Sequence, residues 1–305
     1  MTSSSPSVPA ALTWRERYAR FRTTERYRSI RRYLSDRSFV IGTLLFIPLA
    51  LMAIFAPLLA PYPPLEINVL DKFQGPSWIY LLGTDEFGRD LLSRILYGSR
   101  TSLGVGAMTA SATCVLGLFF GALAGYNRLA DAILMRVMDG LMAFPGILLA
   151  IIIVASLGPG SGGLNVVLAM IIIYTPRITR VVRGTVIEVK QQDFVDAARL
   201  IGLSDARILA VHIIPNCLAP VIVQTTFGFA WAILVEAGLS FVGLGTPLPE
   251  PSWGNIISAG RQFVRNAPWL VVTPGVLISL AVLSLNLIGD GLRNVLDPRL
   301  RNIAS

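Results

Sequence analysis

The sequence predicts an all-α integral membrane protein with six spanning helices and both termini in the cytoplasm. Three observations lead there. Of 305 residues, 53% are hydrophobic and only 14% charged, with a mean hydropathy of +0.64; a soluble domain carries about 25% charged residues. Six windows are apolar over the roughly 20 residues needed to cross about 30 Å of hydrocarbon. Finally, arginine and lysine concentrate on alternate connections between those windows, as the positive-inside rule requires.

Residues 1–37 form a segment of their own. The first dozen are Ser/Pro-rich and expected to be disordered. The stretch after them alternates arginine with aromatic and aliphatic residues, and residues 1–37 hold nine arginines. Two readings stand level: an amphipathic helix on the inner leaflet, or a basic flank with no other role. A cleaved signal peptide is not expected, because the first apolar run starts late and is long enough to span.

The membrane domain is 38–305, with spans near 38–60, 101–126, 133–157, 163–182, 218–240 and 268–289. The third window is the least uniform, since its first half carries Arg136 and Asp139. Residues 177–217 hold six Lys/Arg, whereas 61–100 hold four against five acids. The loop 183–217 is therefore expected in the cytoplasm and 61–100 outside. Proline recurs within spans, at Pro48, Pro145, Pro176 and Pro274; neighbouring helices or a water-lined path must then satisfy the freed backbone. Gly117, Gly121 and Gly125 at i, i+4, i+8 leave one face bare for close helix packing. The Gly-rich 157–165 stretch lacks the lysine of a phosphate loop and is expected to be a tight extracytoplasmic turn.

Enzyme chemistry is hard to build from this chain. His212 is the only histidine, so neither a histidine metal cluster nor a relay is expected. Pro159 spoils a nucleophile elbow around Ser161. Cys114 and Cys217 read as small core residues. The net charge of +8 fits inner-leaflet contact better than nucleic acid.

One polar island interrupts the oil: QQDFVDAARLIGLSDARILAVHIIPN, residues 191–216. On a helical wheel Phe194, Ala197, Ala198 and Ile201 share a face opposite Asp193, Asp196 and Arg199. Gly202 is placed to stop this helix and Ser204 to cap a second, with Pro215 and Pro220 leading into the next span. The pattern alone suits equally a force-carrying contact with a soluble partner and a helix packed on its own protein.

This stretch resembles the EAA loop of ABC importer permeases: Ala197-Ala198, then Gly202, then Pro215, with Asp196 where the family most often has Glu. Residues 81–103 (LLGTDEFGRDLLSRILYGSRTSL) and 236–257 (EAGLSFVGLGTPLPEPSWGNII) resemble the dipeptide, oligopeptide and nickel branch, in its second permease subunit. The resemblance covers about 38–300. It implies the type I importer permease fold in a bacterial plasma membrane. Asp196, Ala197, Ala198, Gly202 and Pro215 would form the coupling helix region that docks on an ATPase. The implied partners are a homologous second permease, two ABC ATPase subunits or domains, and an extracytoplasmic substrate-binding protein. The implied cargo is a di- or oligopeptide, with nickel, glutathione, opines or sugars as alternatives. No cofactor is implied for this chain; ATP and Mg would belong to the ATPases.

Three further features are weighed on their residues. Thr84 is placed to cap a helix in which Asp90 and Arg94 pair at i, i+4. Arg136 and Asp139 can pair at i, i+3. Glu236, near the end of the fifth span, either lines the translocation path or bonds to a neighbouring helix, since an isolated charge in the bilayer is costly. A self-contained secondary transporter would need paired intramembrane acids or an internal repeat, and neither is evident.

Overall fold

The structure is a computed structural model that describes residues 33–158, 163–247 and 249–296. Most of the N-terminal arginine segment and the tip of the 157–165 turn lie outside these residues. Among the described residues the regular structure is all helical, apart from one isolated bridge between Thr84 and Asp90, and most of 60–90 is turn and loop. Five helices are long and apolar enough to span, and a pair bent at a short break makes a sixth if it crosses as one span.

The first helix, α1 (Arg37–Leu59), starts at Asp36, whose carboxylate accepts from the Phe39 N–H at 2.9 Å. It buries only Gly42, Leu49 and Ala56. Their seven-residue spacing is two helical turns, so one narrow seam holds it to the bundle and the rest is left for lipid. Helix α2 (Leu91–Tyr126) has 36 residues, about 54 Å at 1.5 Å per residue. It begins ten residues before the apolar window expected at 101–126. Its glycine stripe packs on α5 (Leu164–Val189). A Cβ on Gly117, Gly121 or Gly125 would lie about 2.5 Å from Ile178, 2.5 Å from Val182 or 2.6 Å from Val186. Bare backbone therefore meets a branched ridge of the same i+4 period.

The third window, 133–157, is not one helix. It is α3 (Arg128–Met142) and α4 (Gly146–Leu157), bent by 94°. Pro145 lacks an N–H donor and disfavours helical backbone at Phe144. The predicted Arg136–Asp139 pair does not form. Asp139 instead accepts from Arg180 of α5 at 2.5 Å, and Asp131 is held by Arg183, also of α5. Two aspartates thus tie α3 across α5 rather than in line with α4.

After α5 come α6 (Asp193–Leu200), a turn, and α7 (Asp205–Ile208). A π-helical turn at Leu209–Ile213 then joins α7 to α8 (Ile214–Phe241). The expected separate second loop helix is therefore the first part of the fifth spanning rod. Pro215 sits directly after the π-helical turn, in the first turn of α8. Helix α9 (Trp253–Gly260) and α10 (Trp269–Leu296) close the bundle. The core runs from α2, α5 and α8 directly into the polar island: Val182, Val186, Cys217 and Val221 are continuous with Val195, Ala198, Ile208 and Ile213. The loop is seated on the bundle by the same apolar contacts that hold the spans together.

Candidate functional site: the α6 loop and the Glu236 cage

Helix α6 ends as its sequence demands. Gly202 has φ +81, a conformation that a side chain resists. Its N–H bonds to Arg199 O at 2.9 Å and the Leu203 N–H to Ala198 O at 3.2 Å. This is a Schellman close. A Cβ on Gly202 would meet nothing within 4 Å, so glycine is needed for the backbone angle and not for space.

The buried face of α6 differs from the wheel. Val195 and Ala198 face the bundle, while Phe194, Ala197 and Ile201 are exposed. The bundle approaches from the side of Val195, which packs with Val189 and Ile208. The wheel grouped residues by hydrophobicity, and nothing in the sequence said which apolar edge the bundle would take. The result is an outward apolar surface: Leu200 is 89% and Ile201 76% exposed. Asp196 holds Arg199 at 3.0 Å on the same open side. Ser204 occupies the cap position of α7 but makes no capping bond. His212 is partly buried, its ring 6.4 Å from that of Phe194.

The loop is also braced at its ends. The Lys190 ammonium donates to Tyr126 O at 2.9 Å and lies over the Tyr126 ring at 4.6 Å. The Tyr126 hydroxyl bonds to Asp205. These contacts join the ends of α2 and α5 to the start of α7. The sequence reading missed them, because their residues are 64 and 79 positions apart and no local pattern links them.

At the other end of the bundle, Glu236 is fully buried. Its carboxyl accepts from Ser240 at 2.8 Å, Thr246 at 3.3 Å and Ser102 at 3.3 Å. Ser102 in turn accepts from the Trp253 N–H at 3.1 Å. One carboxyl thus links α2, α8, the segment after α8 and the start of α9. Among the described residues it reaches no open surface. A cavity of about 750 Å³ lies beside the cage and shares Ser240 and Thr246 with it.

The loop before α2 is likewise organised by buried charge, in a different pairing from the expected one. Asp90 caps α2, accepting from the Ser93 N–H at 2.7 Å. Arg94 pairs with Asp85 at 3.4 Å, and Asp85 also holds Arg89 at 2.6 Å. Thr84 caps nothing; its hydroxyl donates to Asp71 O and accepts from the Gln74 N–H. Gly88, expected inside a helix, turns with φ +74 against Asn68. Tyr80 donates to Asp71 at 2.8 Å, and that hydrogen bond raises its phenol above the ordinary range.

Fold and site together define a polytopic helical membrane protein with a helical loop seated on its bundle. Residues 114–302 match the binding-protein-dependent transport system inner membrane components, and residues 27–76 match the N-terminal TM domain of oligopeptide transport permease C. A Brucella abortus protein named as a permease of a peptide transport system is 49% identical over 271 residues, covering 89% of this chain and 91% of its own. The dipeptide transport system permease protein DppC of Alkalihalophilus pseudofirmus is 45% identical over 264 residues, covering 86% of each. A chain of the MetNI methionine ABC transporter, in an inward-facing form, shares the fold. Its TM-score is 0.55 at 21% identity, over 67% of this chain and 96% of that one. The chain belongs to the binding-protein-dependent ABC importer permeases. It is a multi-pass inner-membrane transport subunit, and its family works with an ATPase and a substrate-binding protein.

Proposed function

We propose that this chain is one of two homologous permease subunits of an ATP-driven importer for di- or oligopeptides. The path lies between the two permeases, and each presents one loop to an ATPase. Residues 183–217 and both termini face the cytoplasm, in keeping with the arginine distribution. The chain itself catalyses nothing; its partners hydrolyse ATP.

The observation that carries this reading is the α6 loop. It pairs an exposed apolar end, Leu200 and Ile201, with a buried edge, Val195 and Ala198, fused to the core of the spans. A push on α6 is therefore passed into α5 and α8 rather than absorbed by a slack loop. Asp196, Ala197, Ala198, Gly202 and Pro215 serve this coupling. Ala198 seats the helix, Gly202 closes it, Asp196 and Ala197 face the partner, and Pro215 starts the rod that carries the movement. Glu236 supports the path from behind, by fixing α9 to α2 and α8. The switch needs ATP and the loaded binding protein each to prefer one state of the complex.

The test is reconstitution of this chain with its co-encoded permease, ATPases and binding protein in proteoliposomes. Uptake of a labelled dipeptide should require ATP on the ATPase side and binding protein on the other. Uptake by this chain alone would overturn the proposal. So would a complete complex whose ATP hydrolysis ignores peptide-loaded binding protein.

A further inference from the structure

The exposed residues of α5 change character halfway along the helix. Leu164, Leu168 and Ile172 are exposed on its first half, and Arg177 and Arg180 on its second. Arg177 lies 13 residues past the start of the helix, about 20 Å along its axis and inside the apolar window expected at 163–182. The two arginines below it are neutralised: Arg180 holds Asp139 and Arg183 holds Asp131. Arg177 has no carboxylate within salt-bridge distance among the described residues. Its guanidinium rests 5.7 Å from the centre of the Tyr174 ring. That ring is fixed in turn, its hydroxyl accepting from the Gln224 amide at 2.9 Å and its face stacked on Trp231 at 5.1 Å. Arg177 itself is exposed.

The break in the third span lies opposite it. Just after the break, a Cβ on Gly146 would be 3.3 Å from Ile173, one turn above Arg177. Just before it, Asp139 meets Arg180, less than one turn below. Arg177 lies between these two contacts along α5, on the stretch that residues 140–145 run past. Met142 and Phe144 there are exposed, and Ala143 and Pro145 with them. Irregular backbone at membrane depth is not tolerated against lipid; it is found buried in protein or lining a water-filled cavity. An unpaired arginine in the membrane follows the same rule. Two independent features, the bare cation and the broken span, thus mark the same stretch as path rather than lipid face.

We infer that Arg177 is a binding site for the carboxylate of the cargo in transit, the C-terminal carboxylate of a peptide. This rests on the proposed reading of the chain as half of a peptide path. A guanidinium suits a carboxylate in two-point geometry, and every unmodified peptide carries one whatever its side chains. A single fixed cation so placed recognises the class of cargo without selecting a sequence.

The experiment uses the complete transporter in proteoliposomes and measures dipeptide carried per ATP hydrolysed. Arg177→Gln should lower this ratio about tenfold or more, the scale of one lost charge-assisted hydrogen bond, and Arg177→Lys should recover part of it. In parallel, Arg177→Cys in a chain with Cys114→Ala and Cys217→Ala should react with an anionic, water-borne thiosulfonate. Loaded binding protein with nucleotide should slow that reaction. No peptide uptake by the wild-type complex overturns both the importer reading and this inference. Wild-type uptake with an unchanged ratio in Arg177→Gln overturns the inference alone. An Arg177→Cys thiol silent to the reagent overturns it too, placing the residue against lipid. Arg177→Gln complexes that lose their partner permease also overturn it, assigning the guanidinium to a carboxylate across the interface.

Discussion

Gly202 separates a conformational requirement from a surface requirement, because its surroundings are empty. Its φ of +81 closes α6 through two backbone bonds, and no atom lies within 4 Å of where a Cβ would be. Any cost of substitution is then backbone strain. A residue with a Cβ pays about 1–2 kcal/mol in this region, while asparagine visits it readily. A β-branched side chain is worse still. At about 1.4 kcal/mol per factor of ten, Gly202→Ala should reduce the closed turn about tenfold against its nearest open alternative. Gly202→Asn should stay near wild type, and Gly202→Val should be the most damaging. The assay is ATP hydrolysis stimulated by loaded binding protein, read beside amide hydrogen exchange over residues 195–208. Both should rank glycine, asparagine, alanine, valine. If asparagine is as damaging as valine, the ATPase needs a bare glycine surface and the conformational argument is wrong. If valine matches wild type, the turn is not what holds the loop.

Other outcomes follow from packing and charge. Asp85→Asn removes the carboxylate shared by the buried Arg89 and Arg94; a broken buried pair costs about 3–5 kcal/mol, so protease sensitivity of residues 60–90 should rise sharply. Gly121→Leu drives a side chain into Val182, 2.5 Å from the first added carbon. It should cost about 1–3 kcal/mol and lower the melting temperature in detergent, while Gly104→Ala, with open space around it, should not. Glu236→Leu strands the hydroxyls of Ser102, Ser240 and Thr246 in a buried cage, at about 1–3 kcal/mol for each donor left unmet. Glu236→Gln keeps an acceptor and should stay closer to wild type in the same melt.

Sequence alone determined the environment and the presence of the long apolar helices, because composition and run length report directly on transfer into hydrocarbon. It also determined the stop at Gly202 and the close glycine face of α2, since both follow from what one residue type does to its own backbone. Charge pairing was legible only as far as neighbours in the chain. Asp90–Arg94 and Arg136–Asp139 satisfied helical spacing, yet Asp85 took Arg94 and Arg180 took Asp139, because a third element came closer than the next turn. The buried edge of α6, the bend at Pro145 and the enclosure of Glu236 were tertiary decisions of the same kind. Each depended on which neighbour arrived, and residues as distant as 102 and 236 leave no local trace of their meeting. Arg177 shows the division most plainly. In the sequence it is one more positive charge in a basic flank; its missing partner and the break beside it exist only once α3 has folded across α5.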